Sequence, residues 1–437
     1  MAYSYDITNQ KKDRVSSNCL FACHTLGAVI NVFVATFLVA YIFQFSTDTY
    51  DYIFKVGIYQ ICVYATFLLT YWFFAYITDN TNRVWIYRLA QLIRLIFLIV
   101  IIFYGQELAQ ILPLAGFLYG LSESCYYGSY NVLKQEMVSR NSMSNFSVFT
   151  TVGTKAIETL IPVTLGALIQ VSTYAQTSIY VAVILSIIII ISFWIRSQKP
   201  QGSTYNLRAY FKKLNKKPKS KEKIFFLYKT SLVYGFSTIT NNLLSICIML
   251  QFGSTLSLGS ITSIIGVVTI VELLLVKKFT KPAKRNWMYV TVILSPLVGS
   301  LLFVITASYW TAIAYNLLLS ISKIIFSVIF DIYRNGTLKE AGLYSEIAEH
   351  HTIVESLLSV SRVISFAIMI LVGLLQNLLA FEILFVVFSL SYSAVNLCLM
   401  IYEKRFLSVN EDGTISHTKK EEEKIFNKVI KKLKTEW

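Results

Sequence analysis

Three ionisable residues stand inside apolar stretches of this chain: Glu123 in one, Lys155 and Glu158 in the next. A lysine and a glutamate three residues apart share one face of a helix, so the pair can point together into a bundle interior. Burial favours the neutral carboxyl and a neighbouring ammonium favours the charged one, a balance that lets such a group take up and release a proton. Lys323 and Arg362 lie in matching stretches later in the chain, with Glu355 seven residues before Arg362 on the same face. The competing reading of each charge is a structural ion pair. Enzymatic chemistry finds no support: there is no phosphate-cradling glycine loop, no HExxH and no nucleophile elbow, and no cofactor is implied. Cys19, Cys23 and His24 share a helical face and are ligand types for a metal, but no further ligand joins them. His350 and His351 are likewise isolated and read as loop.

The elements that must position these residues are membrane spans. The chain of 437 residues is 55% hydrophobic and 14% charged, with mean hydropathy +0.59. Soluble domains carry about 25% charged residues. All six cysteines (Cys19, Cys23, Cys62, Cys125, Cys247, Cys398) fall in apolar runs without CxxC spacing, and read as small buried hydrophobes. At about 20 apolar residues per span, twelve stretches qualify: 18–44, 56–78, 85–104, 109–131, 146–170, 177–195, 225–250, 256–276, 287–307, 309–331, 352–376 and 380–402. The first is long enough to stay as a span, and no cleavable leader is evident.

Helical rise then gives depth. Glu158 lies about 18 Å and Lys155 about 13 Å from the inner end of their helix, near the middle of a hydrocarbon layer about 30 Å thick. Glu123 also falls near mid-depth. Arg94 reads as part of the inner rim, and Glu272 as a gate or snorkelling residue. Lys134, Glu136, Arg140, Asp331, Arg334, Glu340, Glu346 and Glu349 read as charges on solvated or gating inner loops.

The net charge of +15 suits membrane topology better than nucleic acid. With the N-terminus inside, basic residues gather in every second loop. The opposite loops, STDTYDY, GQELAQ, VSTYAQTS, QFGSTLS, ASYW and QNLLA, contain no Lys or Arg. Both termini are therefore expected on the cytoplasmic side of a cell membrane. The basic segment 196–224 divides the spans six and six and reads as a solvated cytoplasmic linker carrying short surface helices. Its flanks are expected to be two six-helix bundles, 1–195 and 225–405. The tail 406–437 spaces Ile425, Phe426, Val429, Ile430 and Leu433 along one face, as an amphipathic helix on the inner leaflet or a disordered solubilising tail would. The halves echo each other. VGTKAIETLIPVTLGALIQ (152–170) and LSVSRVISFAIMILVGLLQ (358–376) share length, an early basic residue, a late glycine and a terminal glutamine, and Leu121-Ser122-Glu123 matches Ile321-Ser322-Lys323. Parallel repeats of this kind are a known transporter plan.

Twelve spans, inside termini, a long basic central loop and the run Ala75-Tyr76-Ile77-Thr78-Asp79-Asn80-Thr81-Asn82-Arg83 together resemble the major facilitator superfamily over the whole chain. The family's signature at this loop is Gly-x-Leu-Ala-Asp-Arg-x-Gly-Arg-Lys. Asp79 and Arg83 hold its acidic and basic positions, while Ala75, Asn80, Asn82 and Val84 depart from it. The resemblance implies an all-α fold of two pseudo-symmetric six-helix bundles, with Asp79 and Arg83 as a cytoplasmic gate. It implies a central cavity lined by spans one, four, seven and ten, where Glu123 and Lys323 face each other and Lys155, Glu158 and Arg362 flank them. Asn31, Tyr126, Tyr127, Asn241 and Asn242 are expected to complete the cavity surface. Pro162 and Gly166 are a fragment of the family's antiporter motif without its paired glycines, and a relieved proline kink explains them equally. The expected function is a monomeric, proton-coupled secondary transporter of a small solute across the bilayer. A non-transporting membrane sensor, scaffold or immunity protein is the alternative.

Overall fold

The computed structural model describes residues 7–137, 143–196, 205–279, 285–306, 308–343, 346–409 and 415–416. The expected tail helix at 419–437, Arg140 and the linker residues 197–204 lie outside this set. Span 1 comprises Ile7–Val32, a single π-helical turn Phe33–Phe37 and Leu38–Gln44. Spans 2 to 6 are Thr49–Asn80, Arg83–Tyr104, Leu112–Met137, Met143–Val171 and Tyr174–Ser192. Span 7 is broken into Pro218–Phe236 and Ile239–Phe252, and spans 8 to 12 are Thr255–Phe279, Arg285–Thr306, Tyr309–Glu340, Ile347–Leu375 and Leu378–Phe406. A further helix, Leu207–Asn215, precedes span 7. A two-residue antiparallel ladder pairs Ser408 with Ser416 and Val409 with Ile415.

Side chains close the helix ends where the connections are shortest. The Asp48 carboxylate accepts the N–H groups of Tyr50 (2.7 Å) and Asp51 (2.9 Å) to start span 2. Thr173 with Gln176 and Ser308 with Thr311 form reciprocal capping boxes that start spans 6 and 10. Gly253, at φ +60°, ends span 7 in the left-handed region that only glycine enters without strain. The break in span 7 has a hydroxyl cause. Ser237 Oγ donates to the Tyr234 carbonyl (2.7 Å) and Thr240 Oγ1 to the Ser237 carbonyl (2.7 Å), which takes these carbonyls out of the regular ladder.

Among the described residues, eleven helices are long and apolar enough to cross a membrane. Span 4 is as long but more polar, with Ser122, Glu123 and Ser124 in its middle; it packs between spans 2 and 3 as a full member of the bundle. The outward surface is apolar, and Trp287 and Trp310, 77% and 76% exposed, mark opposite ends of neighbouring spans 9 and 10. Such aromatic placement suits the two membrane interfaces.

Helix pairing shows the duplication. In the first six spans the strong pairs are 2–4, 3–4, 3–6 and 1–5; in the last six they are 8–10, 9–10, 9–12 and 7–11. Adding six to each number in the first set gives the second. The halves meet along two long seams, spans 2–11 and 5–8, with a smaller contact between spans 1 and 7. We call the face holding the turn between spans 2 and 3 the linker face, and the opposite one the distal face.

The linker departs from the solvated expectation. Tyr210 and Leu214 of helix Leu207–Asn215 are wholly buried and share an apolar cluster with Ile224, Tyr228, Leu338, Leu343 and Ile347. Lys213 pairs with Glu346, Lys217 Nζ donates to the Ala341 carbonyl (2.6 Å) and Lys223 Nζ to Glu340 (2.7 Å). Three of the lysines that suggested solvation meet carboxylates or a carbonyl at the ends of spans 10 and 11, while Lys212 and Lys216 stay exposed.

Candidate functional site

Arg94 is the first correction. It sits eleven residues into span 3, about 16 Å along it at 1.5 Å per residue, and is 1% exposed rather than on a rim. Its Nη2 donates to Glu123 Oε1 at 2.5 Å, and its guanidinium lies 4.1 Å from the Tyr126 ring. Glu123 is thus neutralised within its own half. Around this pair, His24 Nδ1 and Tyr126 Oη are 2.6 Å apart and His24 stacks on Tyr130 at 4.2 Å. Asn31 accepts from Tyr119 Oη at 3.5 Å. His24 was considered above only as a metal ligand. Among the described residues no three His, Cys, Asp or Glu side chains come together as a metal site. The aromatic spacing Tyr126–Tyr130, one helical turn that brackets a ring from span 1, was the available signal.

Lys155 and Glu158 are paired on span 5, with side chains 31% and 41% exposed. Their arc lies next to Thr159 and Gly166, which touch Gly266 and Thr255 of span 8. The two charges therefore edge the seam between the halves. In the second half, Arg362 faces Glu355 at 3.9 Å and donates its Nε proton to Thr238 Oγ1 at 3.2 Å, beside the break in span 7. Its guanidinium also lies 5.1 Å from the Tyr64 ring of span 2, which stacks on Phe366. Gln60 Nε2 donates to Asn242 Oδ1 at 2.9 Å, a second polar link between halves. Lys323 is half-buried and makes no hydrogen bond or ion pair among the described residues. Tyr127 meets the Tyr126 ring edge-on at 5.2 Å, and Asn241 is exposed beside buried Asn242.

The charged groups pair locally: Glu123 with Arg94, Lys155 with Glu158, Arg362 with Glu355. Each of these partners lies on the same helix or on a helix packed directly against it.

At the linker face, Arg83 Nη2 donates to Asp79 Oδ1 at 3.2 Å, and Asp79 is 8% exposed. Asp79 also accepts the backbone N–H of Tyr205, while the next N–H, of Asn206, donates to Glu349 Oε1 at 2.8 Å. Two consecutive linker amides thus tie span 2 of one half to span 11 of the other. Burial pushes the Tyr205 phenol above its ordinary pKa. Glu346 and Glu349 are 6% and 4% exposed, and His350 is buried inside span 11. Its Nδ1 lies 3.1 Å from Tyr228 Oη and 3.3 Å from Tyr210 Oη. These three residues were expected on loops; burying the linker helix is what covers them. At the distal face, a cavity of 790 Å³ opens between spans 1, 2, 5, 7 and 8, lined by Gln44, Thr47, Asp48, Gln170, Ser254 and Thr255 among others.

The Major Facilitator Superfamily signature matches residues 18–345, three quarters of the chain. The chain belongs to the major facilitator superfamily. Solved structures of similar fold include the nucleoside transporter NupG, with TM-score 0.58 and 13% identity over 90% of this chain and 99% of that one. A POT family transporter crystallised with 5-aminolevulinic acid gives TM-score 0.64 and 11% identity over 89% and 96%. The human organic anion transporter MFSD10 (TETRAN) gives 0.59 and 13% over 89% and 99%. No curated protein matches the chain. At these identities the neighbours show the fold alone. Superfamily membership and these transporter folds support membrane transport by a multi-pass membrane protein.

Proposed function

We propose that the protein is a secondary active transporter of a small solute, working by alternating access and coupled to protons. The halves are taken as 1–195 and 225–405, in a monomer with both termini in the cytoplasm and a cell-membrane location. The carrying observation is the Lys155–Glu158 pair. The side chains are 31% and 41% exposed, yet Glu158 lies thirteen residues from the distal end of its helix at Val171, about 20 Å by helical rise. Charges at that depth persist where they meet protein or a water-filled path rather than lipid. Their position beside the span 5–8 seam puts them where the two halves would part.

In this reading Glu158, with Lys155 as its ion-pair partner, exchanges a proton as the halves part to either side. Glu123 is held by Arg94 and responds to the same movement through span 4. Asp79 and Arg83, with the Tyr205–Asn206 amides, hold the linker face closed, and the distal cavity is the open approach. The test uses proteoliposomes under a pH gradient, with candidate solutes added in turn. Solute-dependent proton movement is expected, falling at least about tenfold in Glu158→Gln, the range set by losing a general acid–base group. Flux that proceeds in Glu158→Gln with the same proton stoichiometry would rule out its role.

A further inference from the structure

We propose that the transported solute carries an anionic group, a carboxylate or a phosphate, seated between Lys323 and Arg362 against the Tyr234–Thr238 stretch of span 7. This rests on the transporter reading above and names its substrate class.

The geometry brings three elements to one layer. Lys323 is fourteen residues from the distal end of its helix at Tyr309, Arg362 thirteen from Leu375, and Thr238 fourteen from Phe252. At 1.5 Å per residue all lie about 20 Å from the distal ends. Span 10 turns Phe326, one helical turn from Lys323, onto the Tyr234 ring at 4.5 Å. Span 11 sends Arg362 to Thr238, one turn beyond Tyr234 on span 7. Two cations from different helices thus converge on five residues at the break in span 7. Tyr64, under the Arg362 guanidinium, brings the other half of the molecule to the same place.

Charge balance decides the sign of the ligand. Arg94 and Lys155 are answered by Glu123 and Glu158. Arg362 is answered by Glu355 only at 3.9 Å, beyond hydrogen-bond length, so its fork is not saturated. Lys323 is answered by nothing described. Glu272 of span 8 accepts from Ser320 Oγ at 2.5 Å, one turn away from Lys323, and Asp331, two turns along span 10, is paired with Arg334 at 2.8 Å. An ammonium in the middle of a membrane span is costly unless paired, and from this depth its side chain cannot reach the interface. A bound oxyanion supplies the missing charge. Arginine offers it a two-toothed fork and lysine a point charge, with the Tyr234 and Thr238 hydroxyls as further hydrogen-bonding groups. A cationic solute meets repulsion from both.

The test is thermal unfolding of the full chain in detergent at constant ionic strength. The probes are acetate, succinate, benzoate, inorganic phosphate and glycerol phosphate. Each organic anion is set beside its uncharged twin: acetamide, succinamide, benzamide and glycerol. We expect at least one anion to raise Tm by roughly 3 °C or more while its twin does not. The carboxylate and phosphate arms tell the two sources apart. Lys323→Gln should abolish the shift, Lys323→Arg should keep part of it, and Lys404→Gln, an exposed charge at the linker face, should leave it whole. If no anion stabilises beyond its twin, or if the shift survives in Lys323→Gln, the proposal is wrong. The wild-type comparison stands even if Lys323→Gln fails to fold. Proton-coupled flux of a cationic or uncharged solute would overturn this inference and leave the transporter standing; anion binding without flux would do the reverse.

Discussion

At the scale of single residues, the Arg94–Glu123 pair is the most consequential contact in the first half. Both charges are removed from water, so their attraction is offset by desolvation, and the pair as a whole contributes little net stability. Removing one member is different, because it leaves the other charge buried and unanswered, at a cost of about 3–5 kcal/mol. Glu123→Gln is therefore expected to lower the thermal midpoint of the purified protein sharply. Replacing both, as Arg94→Leu with Glu123→Leu, should restore much of it while abolishing any coupling role. A single mutant that unfolds like wild type would show that Glu123 is not charged in the folded state. Glu123 was visible in the sequence as a charge inside a span. Its partner was not, because Arg94 reads as inner rim until its depth along span 3 is counted. The same count of residues that placed Glu158 places Arg94 mid-membrane.

At the scale of elements, the linker helix Leu207–Asn215 carries a specific expectation. Its docking depends on Leu214, wholly buried, and on the Tyr210 phenol between Tyr228 and His350. Leu214→Asp should undock it, read as faster amide hydrogen exchange across 205–217 with the spans unchanged; unchanged protection there would contradict the docked position. Burial pushes the Tyr210 phenol from its ordinary 10.0 to about 12. A raised folded-state pKa means that the proton is held more tightly when docked. Docking should accordingly be complete below pH 10 and be lost as the pH rises from 10 towards 12, and Tyr210→Phe should remove that dependence. None of this was legible from composition. Lysines, a proline and a glycine describe a solvated connector equally well, and only the apolar spacing of Tyr210 and Leu214, four residues apart, hinted at a buried face.

At the scale of the whole molecule, the order and number of helices followed from hydropathy because a bilayer admits few alternatives. The duplication was legible in the echo of 152–170 with 358–376, and the structure extends it to the pattern of helix pairs. What hydropathy could not supply was partner choice, since an ion pair forms between helices that are remote in sequence and the apolar background says nothing about rotation. The seam between spans 5 and 8 illustrates the point. A Cβ on Gly166 would meet the Thr255 carbonyl at 2.7 Å, and one on Gly259 or Gly266 would collide with Pro162 or Thr159. Gly166→Leu is expected to fold, since each half keeps its own core, but to force the seam apart and stop transport. Full flux in that variant would show that the close approach is dispensable.

The same seam has a mechanical consequence. Helices that interlock through large side chains must climb over one another to move, and each step meets a barrier. Spans 5 and 8 instead come backbone to backbone at Gly166 and Gly259, with only the short side chains of Thr159, Thr255 and Ser263 at the contact. Such a contact resists separation but offers little friction to turning, which is what a bearing does. Placed beside the charged pair on span 5, it would let a few degrees of roll decide which side of the bilayer that pair can see.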